Sequence, residues 1–165
     1  MRRRGRAPEH PESPEAARRA ALLLLGRRDY ASGELLTKLT VSGYAPEAAQ
    51  AAIAALREER LLDDSRFLDN FVRAHAGRGQ GPARIRQELS VLGFPAADIQ
   101  AALEAGPDFT ALCREVRVRK FGARPPASWA ERGRQGRFLQ YRGFSSDDIR
   151  LATGQDPDIS EDPTE

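Results

Sequence analysis

The sequence predicts an all-α protein made of three tandem three-helix repeats, stacked into an elongated, curved array. Apolar residues recur along nearly the whole chain at helical spacing, and no segment shows the alternation of a strand. A glycine followed by an aromatic residue recurs at Gly43, Gly93 and Gly143, at a constant interval of fifty residues. A fifty-residue unit of three short helices cannot bury enough apolar surface alone, so about three stacked units are needed for a continuous core.

Tails are predicted on both sides of the repeats. The stretch DPDISEDPTE (156–165) carries five acids, no base and two prolines, which is typical of disorder. The predicted boundaries are a basic disordered tail at 1–13, repeats at 14–61, 62–106 and 107–154, and an acidic disordered tail at 155–165.

The first repeat shows helical start signals. Pro14 and Pro46 suit the first turn of a helix, because the N–H groups of that turn make no hydrogen bond within the helix and proline therefore removes none. Ser32 is the predicted N-cap of the second helix. The predicted helices lie at 14–28, 33–42 and 46–60.

The second repeat has start and stop signals around short apolar stripes. Asp63 or Asp64 precedes an apolar face and is expected to cap the first helix. Pro82 begins the second helix, which ends at Gly93 in the left-handed C′ position. Pro95 begins the third helix.

The third repeat follows the same order. Asp108, Ser128 and Ser145 are the predicted N-caps, and Asp148 stands at the spacing of a capping box after Ser145. The predicted helices lie at 109–121, 129–142 and 146–153.

The recurring glycines mark the turn between the second and third helices of each repeat. Such a turn needs a positive φ, which glycine adopts without steric cost, and the aromatic side chain that follows can cover the end of the preceding helix. We therefore expect a positive φ at Gly43, Gly93 and Gly143.

Positive charge is concentrated in the second half of the chain, although the net charge is only +2. Residues 29–72 hold eight acids and four bases, residues 73–86 hold four arginines and no acid, and residues 114–142 hold nine bases and two acids, a net +7. A solvated face would explain any single base, but the clustering favours a binding role. The predicted partner-binding residues are Arg73, Arg78, Arg84, Arg86, Arg117, Arg119, Lys120, Arg134, Arg137 and Arg142.

No group of residues predicts catalysis. Cys113 falls on the apolar stripe of its helix, which is typical of a buried, unreactive thiol. His75 lies near the end of its helix, where it suits the partial negative charge, and His10 is the other histidine of the chain. Helix capping explains Asp63 and Asp64. We expect no enzyme activity, no cofactor and no metal.

The sequence favours a cytoplasmic monomer. No stretch reaches the roughly 18 apolar residues of a membrane span. The opening MRRRGR is not followed by the apolar region of a signal peptide. The chain has one cysteine, which excludes an internal disulfide and fits reducing surroundings.

Three stretches carry a resemblance to a known family: LLDDSRFLDNFVRAHAGRGQGPARIRQEL (61–89), RKFG (119–122) and GRFLQYRGFSSDDI (136–149). They resemble signature segments of the RecX family, bacterial regulators of the RecA recombinase whose fold is three tandem three-helix repeats. The resemblance spans about 14–153. The loop GARPPASW (122–129) and the acidic tail depart from the family pattern, so their roles stay open.

The resemblance implies a non-enzymatic modulator of RecA, expected to be inhibitory. Such a protein lies in the groove of the RecA–DNA filament, bridges neighbouring subunits, and blocks filament extension or promotes disassembly, which regulates homologous recombination and DNA repair in the SOS response. The sequence leaves open the sign of the effect and which arginines touch RecA or DNA.

A helix-turn-helix-like protein that binds DNA nonspecifically is the alternative. The third helices of the repeats begin PEAA, PAAD and SSDD, which are acidic or bland and would repel phosphate. DNA-reading helices instead present basic or amide side chains to the bases. Specific reading is disfavoured, whereas weak nonspecific binding is expected.

Overall fold

The computed structural model describes residues 7–154, which contain nine α-helices and no strand. The all-α prediction with three three-helix repeats is confirmed. Residues 1–6 of the predicted basic tail and the whole acidic tail at 155–165 lie outside the described residues. The helices are α1 (Pro14–Leu25), α2 (Ser32–Val41), α3 (Pro46–Glu58), α4 (Asp64–Gly77), α5 (Pro82–Val91), α6 (Ala96–Glu104), α7 (Phe109–Phe121), α8 (Trp129–Arg142) and α9 (Ser146–Thr153).

The described residues divide into two compact units, at 7–68 and 69–154. In the first unit, α1 and α2 both pack on α3, and the buried cluster includes Leu35, Leu39 and Leu56. In the second unit, α5 packs on α6, while α7 and α8 pack on α9 around Cys113 and Leu139. No helix in 7–154 is long and apolar enough to cross a membrane.

The second helix of every repeat buries one leucine at the same register position. Leu39, Leu89 and Leu139 are each at most 1% exposed. Full burial of a leucine contributes roughly 1.5–3 kcal/mol, so these three positions anchor the three-helix units. The fifty-residue interval thus preserves the inward face of each second helix.

The turn after each second helix has the predicted geometry. Gly43, Gly93 and Gly143 have φ values of 102°, 87° and 95°. The N–H of the aromatic residue after each glycine donates to the carbonyl of the buried leucine, at 3.1 Å, 3.3 Å and 3.2 Å. This is the Schellman arrangement, which satisfies helix carbonyls that otherwise lack donors. The expectation of positive φ is confirmed at all three positions.

The helix caps of the third repeat are also confirmed. Asp108 accepts a hydrogen bond from the Ala111 N–H at 3.0 Å, and Ser128 accepts one from the Glu131 N–H at 3.2 Å. Ser145 Oγ accepts from the Asp148 N–H at 3.1 Å. Each cap satisfies an N–H group that the first helical turn leaves without a partner.

Asp63 and Asp64 have different roles, although the sequence presented them as equivalent candidates. Asp63 caps α4, because its Oδ1 accepts from the Arg66 N–H at 3.0 Å, and this hydrogen bond lowers the pKa of Asp63. Asp64 is the first residue of α4, and its Oδ1 accepts from the Ser32 N–H at 2.8 Å. The capping prediction therefore holds for Asp63, while Asp64 joins α4 to the start of α2.

Several predicted helix boundaries in the first repeat differ from the structure by one to three residues. Ser32 is the first residue of α2 and not its N-cap, which is Ala31, and the Ser32 N–H donates to Asp64 Oδ1. The first helix ends at Leu25, where a bond from the Arg27 N–H to the Leu24 carbonyl tightens the last turn. The third helix ends at Glu58, and Arg60 takes a positive φ of 56° in the following turn.

Candidate partner-binding surface

The connection between α4 and α5 packs directly on the turn between α8 and α9. The Gly81 N–H donates to the Arg142 carbonyl at 2.8 Å, and the Ala83 N–H donates to the Gly143 carbonyl at 3.0 Å. A Cβ atom added to Gly81 would lie less than 3.0 Å from the backbone of Gly143. The glycines therefore allow two backbones to touch, and carbonyls at the end of α8 accept hydrogen bonds from N–H groups at the start of α5.

This backbone contact positions Arg142 within a cleft. Its guanidinium donates to the Arg78 carbonyl at 3.1 Å and lies 5.2 Å from the centre of the Phe138 ring. The Lys120 ammonium lies 6.0 Å from the same ring centre. Phe138 thus carries two cations at cation–π distance.

Four predicted partner-binding residues line this cleft of about 130 Å³: Arg78, Arg119, Lys120 and Arg142. Gly79, Val116 and Phe138 form the rest of its lining. Gly79 has a φ of 77°, and its Cα lies so close to Val116 that a Cβ would be in tight contact. We call this site the basic cleft.

The cations of the basic cleft have no carboxylate partner within residues 7–154. The ion pairs in that range involve other residues, such as Arg28 with Glu34 and Arg84 with Glu88. Four positive charges therefore lie close together, on Arg78, Arg119, Lys120 and Arg142. Such a cluster creates a local positive potential that attracts anionic groups.

Five other predicted residues lie outside the basic cleft. Arg84 pairs with Glu88 at 3.2 Å, and Arg86 donates to Gln100 at 2.7 Å, so both already have partners. Arg134 stands over the Phe121 ring at 5.8 Å. Arg73 lines a separate pocket with Leu112, and Arg137 is exposed on α8. A role for these residues in binding stays a prediction.

The prediction of Arg117 as a partner-binding residue was wrong. Only 6% of this residue is exposed, and its guanidinium donates to the carbonyls of Arg124 at 3.1 Å and Ala123 at 3.3 Å, and to Gln135 Oε1 at 3.4 Å. Arg117 thus fixes the 122–128 loop to α7 and α8. The sequence held a signal, because Arg117 falls four residues after Cys113 on the inward stripe of α7.

Exposed apolar side chains at the repeat interval were not singled out from the sequence. Val41, Val91 and Tyr141, each two residues before a turn glycine, are 82%, 83% and 78% exposed. Val91 and Tyr141 lie in a groove of about 700 Å³ that also contains Arg84 and Glu88. The fifty-residue register would have revealed them, because it aligns the three positions.

Cys113 and His75, the other side chains considered for chemistry, both have contacts typical of structural residues. Cys113 is fully buried, and burial raises the pKa of its thiol to about 12, so the thiol stays protonated at neutral pH. His75 stacks on Phe71 at 3.8 Å, and its Nδ1 lies 2.5 Å from Gln80 Oε1 and 3.2 Å from Glu88 Oε2. Residues 7–154 hold no group of three potential metal ligands.

The fold and its basic surface define a helical-repeat protein in which four cationic side chains line one cleft. Family models for the first, second and third three-helix domains of RecX match residues 17–56, 63–103 and 108–153. The chain belongs to the RecX family of regulatory proteins.

Individual relatives agree with that assignment. The chain is 48% identical to the regulatory protein RecX of Pseudomonas fluorescens strain Pf-5 over 145 residues, which covers 87% of this chain and 94% of the relative. It is 48% identical to that of Halorhodospira halophila over 139 residues, covering 84% and 86%. The crystal structure of RecX from Lactobacillus salivarius has the same fold, with a TM-score of 0.73, 20% identity, and coverage of 84% of this chain and 93% of that chain.

Proposed function

We propose that this chain is an inhibitory modulator of the RecA recombinase. It binds in the groove of the RecA–DNA filament, contacts neighbouring subunits, and blocks extension or promotes disassembly, thereby regulating recombination and DNA repair. Membership of the RecX family supports this proposal. The observation that carries it is the basic cleft, whose cations have no carboxylate partner in residues 7–154.

The electrostatics of the basic cleft suit an anionic partner. The cations of the basic cleft hold no ion pair in residues 7–154, so an arriving anion breaks none, whereas the ion pair of Arg84 with Glu88 must break before Arg84 can bind an anion. Arginine also presents its donors in a planar fork that matches carboxylate and phosphate oxygens. A filament of protein and DNA offers both kinds of anion, so the cleft can gain charge-assisted hydrogen bonds on binding.

Nonspecific DNA binding without RecA is the second candidate function. The same cleft favours it, because phosphate contacts need only clustered bases. The third helix of each repeat does not support base reading, since α3, α6 and α9 carry acids in their first turns, namely Glu47, Asp98, Asp147 and Asp148. A negative charge at that position repels the DNA backbone.

Co-sedimentation separates the two candidates. The chain is mixed with RecA filaments assembled on single-stranded DNA with a slowly hydrolysed ATP analogue, and separately with the same DNA without RecA. We expect the chain to sediment with the filament at concentrations where the bare DNA retains little of it, and to slow filament extension in a parallel assay. Equal retention by bare DNA would favour the DNA-binding candidate, and no retention by either would refute both.

A further inference from the structure

The basic cleft has a complementary segment within the same chain. The acidic tail, residues 155–165, carries five carboxylates and no base: Asp156, Asp158, Glu161, Asp162 and Glu165. Within 7–154, no carboxylate pairs with the four cations of the cleft. The charges of the tail and the cleft are therefore opposite in sign and similar in number.

The acidic tail begins within reach of the cleft. Thr110 Oγ1 donates to Asp148 Oδ1 at 2.6 Å, which places α9 beside the first turn of α7. Gly154 is about 9 Å further along the helix axis from Asp148, and Lys120 is about 15 Å along α7 from Thr110. Eleven extended residues span roughly 36 Å, so the tail can reach the cleft whichever way α9 points.

We infer that the acidic tail occupies the basic cleft of the free protein and competes with the anionic partner for it. The tail supplies carboxylates, and the cleft supplies the guanidinium and ammonium donors of Arg78, Arg119, Lys120 and Arg142. The inference rests on the proposed function only where it names the filament as the competing partner. The contact between tail and cleft is a property of the chain alone.

Tethering makes a weak contact effective. A segment on a short linker has an effective concentration on the order of millimolar, so a tail with millimolar intrinsic affinity keeps the cleft occupied about half of the time. The apparent affinity for a competitor falls by the fraction of free cleft. Removing the tail is expected to tighten binding of an anionic probe by roughly two- to tenfold at low salt.

Paramagnetic relaxation in the full chain tests the contact without any partner. Thr164→Cys receives a nitroxide label, since Cys113 is fully buried and does not react. We expect the label to weaken the amide signals of Gly79 and Lys120 more than that of Leu56 in the first unit, and 0.5 M salt to restore them. Equal weakening at all three positions, or none, would overturn the inference.

Competition with a labelled polyglutamate peptide provides the second measurement. A chain ending at Gly154 and a chain with all five tail acids changed to Asn or Gln should both bind the probe roughly two- to tenfold more tightly than the full chain. Pro157→Ala with Pro163→Ala keeps the tail charges and should leave the affinity unchanged. Equal affinity of all four proteins would also contradict the inference.

The two proposals can fail separately. A label effect at Lys120 without sedimentation on RecA filaments would refute the proposed function and leave the tail contact standing. Sedimentation without a label effect would support the proposed function and refute the tail contact.

Discussion

Gly81→Ala should destabilise the second unit, because the structure has no room for the added methyl group. The new Cβ would lie less than 3.0 Å from backbone atoms of Gly143 and Phe144, which cannot rotate away as a flexible side chain could. The two backbones must therefore separate. Separation breaks the bonds from the Gly81 and Ala83 N–H groups to the Arg142 and Gly143 carbonyls, at 2.8 Å and 3.0 Å.

The expected loss follows from those contacts. Each backbone hydrogen bond contributes about 1 kcal/mol net, and the poorer packing at the joint adds a similar amount, so we expect the free energy of unfolding to fall by about 2–3 kcal/mol. For a chain of this size, 1 kcal/mol corresponds to about 2–4 °C in Tm. The Tm should therefore fall by roughly 4–12 °C.

Thermal unfolding followed by circular dichroism measures this loss, with Gly77→Ala as the matched control. Gly77 lies in the last turn of α4, and a Cβ there would meet no atom within 4 Å. Alanine has the higher helix propensity, so the control should keep or slightly raise the Tm. If Gly81→Ala unfolds at the same temperature as the control, the close approach of α5 to Gly143 is refuted.

Three further predictions concern single side chains. Gly93→Val should lower the free energy of unfolding by roughly 1 kcal/mol in urea titrations, because a β-branched residue is strained at a φ of 87° even though space is open there; an unchanged midpoint would refute that cause. Arg117→Met should cost about 2 kcal/mol by the same measurement, since it leaves the buried Gln135 amide and two loop carbonyls without their donor; a neutral result would show that the loop needs no tether. Asp63→Asn should lose less stability on acidification than the unchanged chain. The folded pKa of Asp63 is lowered, so its contribution is present above the unfolded pKa and is lost as pH falls through the folded value, and parallel pH profiles of the two proteins would contradict this.

Local signals explain how much of the fold the sequence predicted. The turn glycines and the caps Asp108, Ser128 and Ser145 act through backbone groups within a few residues, so their roles can be inferred from spacing. The role of Asp64 depends on the Ser32 N–H, which is distant in sequence. A hydrogen bond between residues that are 32 positions apart produces no periodic pattern in the sequence.

The candidate site was predicted only in part for the same reason. Charge counting identified Arg78, Arg119, Lys120 and Arg142, and the structure brings these four together. Counting could not separate them from Arg117, because its acceptors are carbonyls of a loop that folds back onto α7. Neighbouring bases on one helix thus face solvent or the interior according to tertiary packing.

Reversal of two cleft charges tests the proposed function most directly. Arg119→Glu with Lys120→Glu changes the cleft charge by four units, and both residues are exposed, so the fold should survive. Lys38→Glu with Arg57→Glu makes the same charge change at exposed positions of the first repeat. In co-sedimentation with RecA filaments on single-stranded DNA, we expect the cleft variant to bind at least about tenfold more weakly, which corresponds to about 1.4 kcal/mol, and the control to bind normally. A folded cleft variant that sediments with RecA filaments at the same concentration as the unchanged chain would contradict the account.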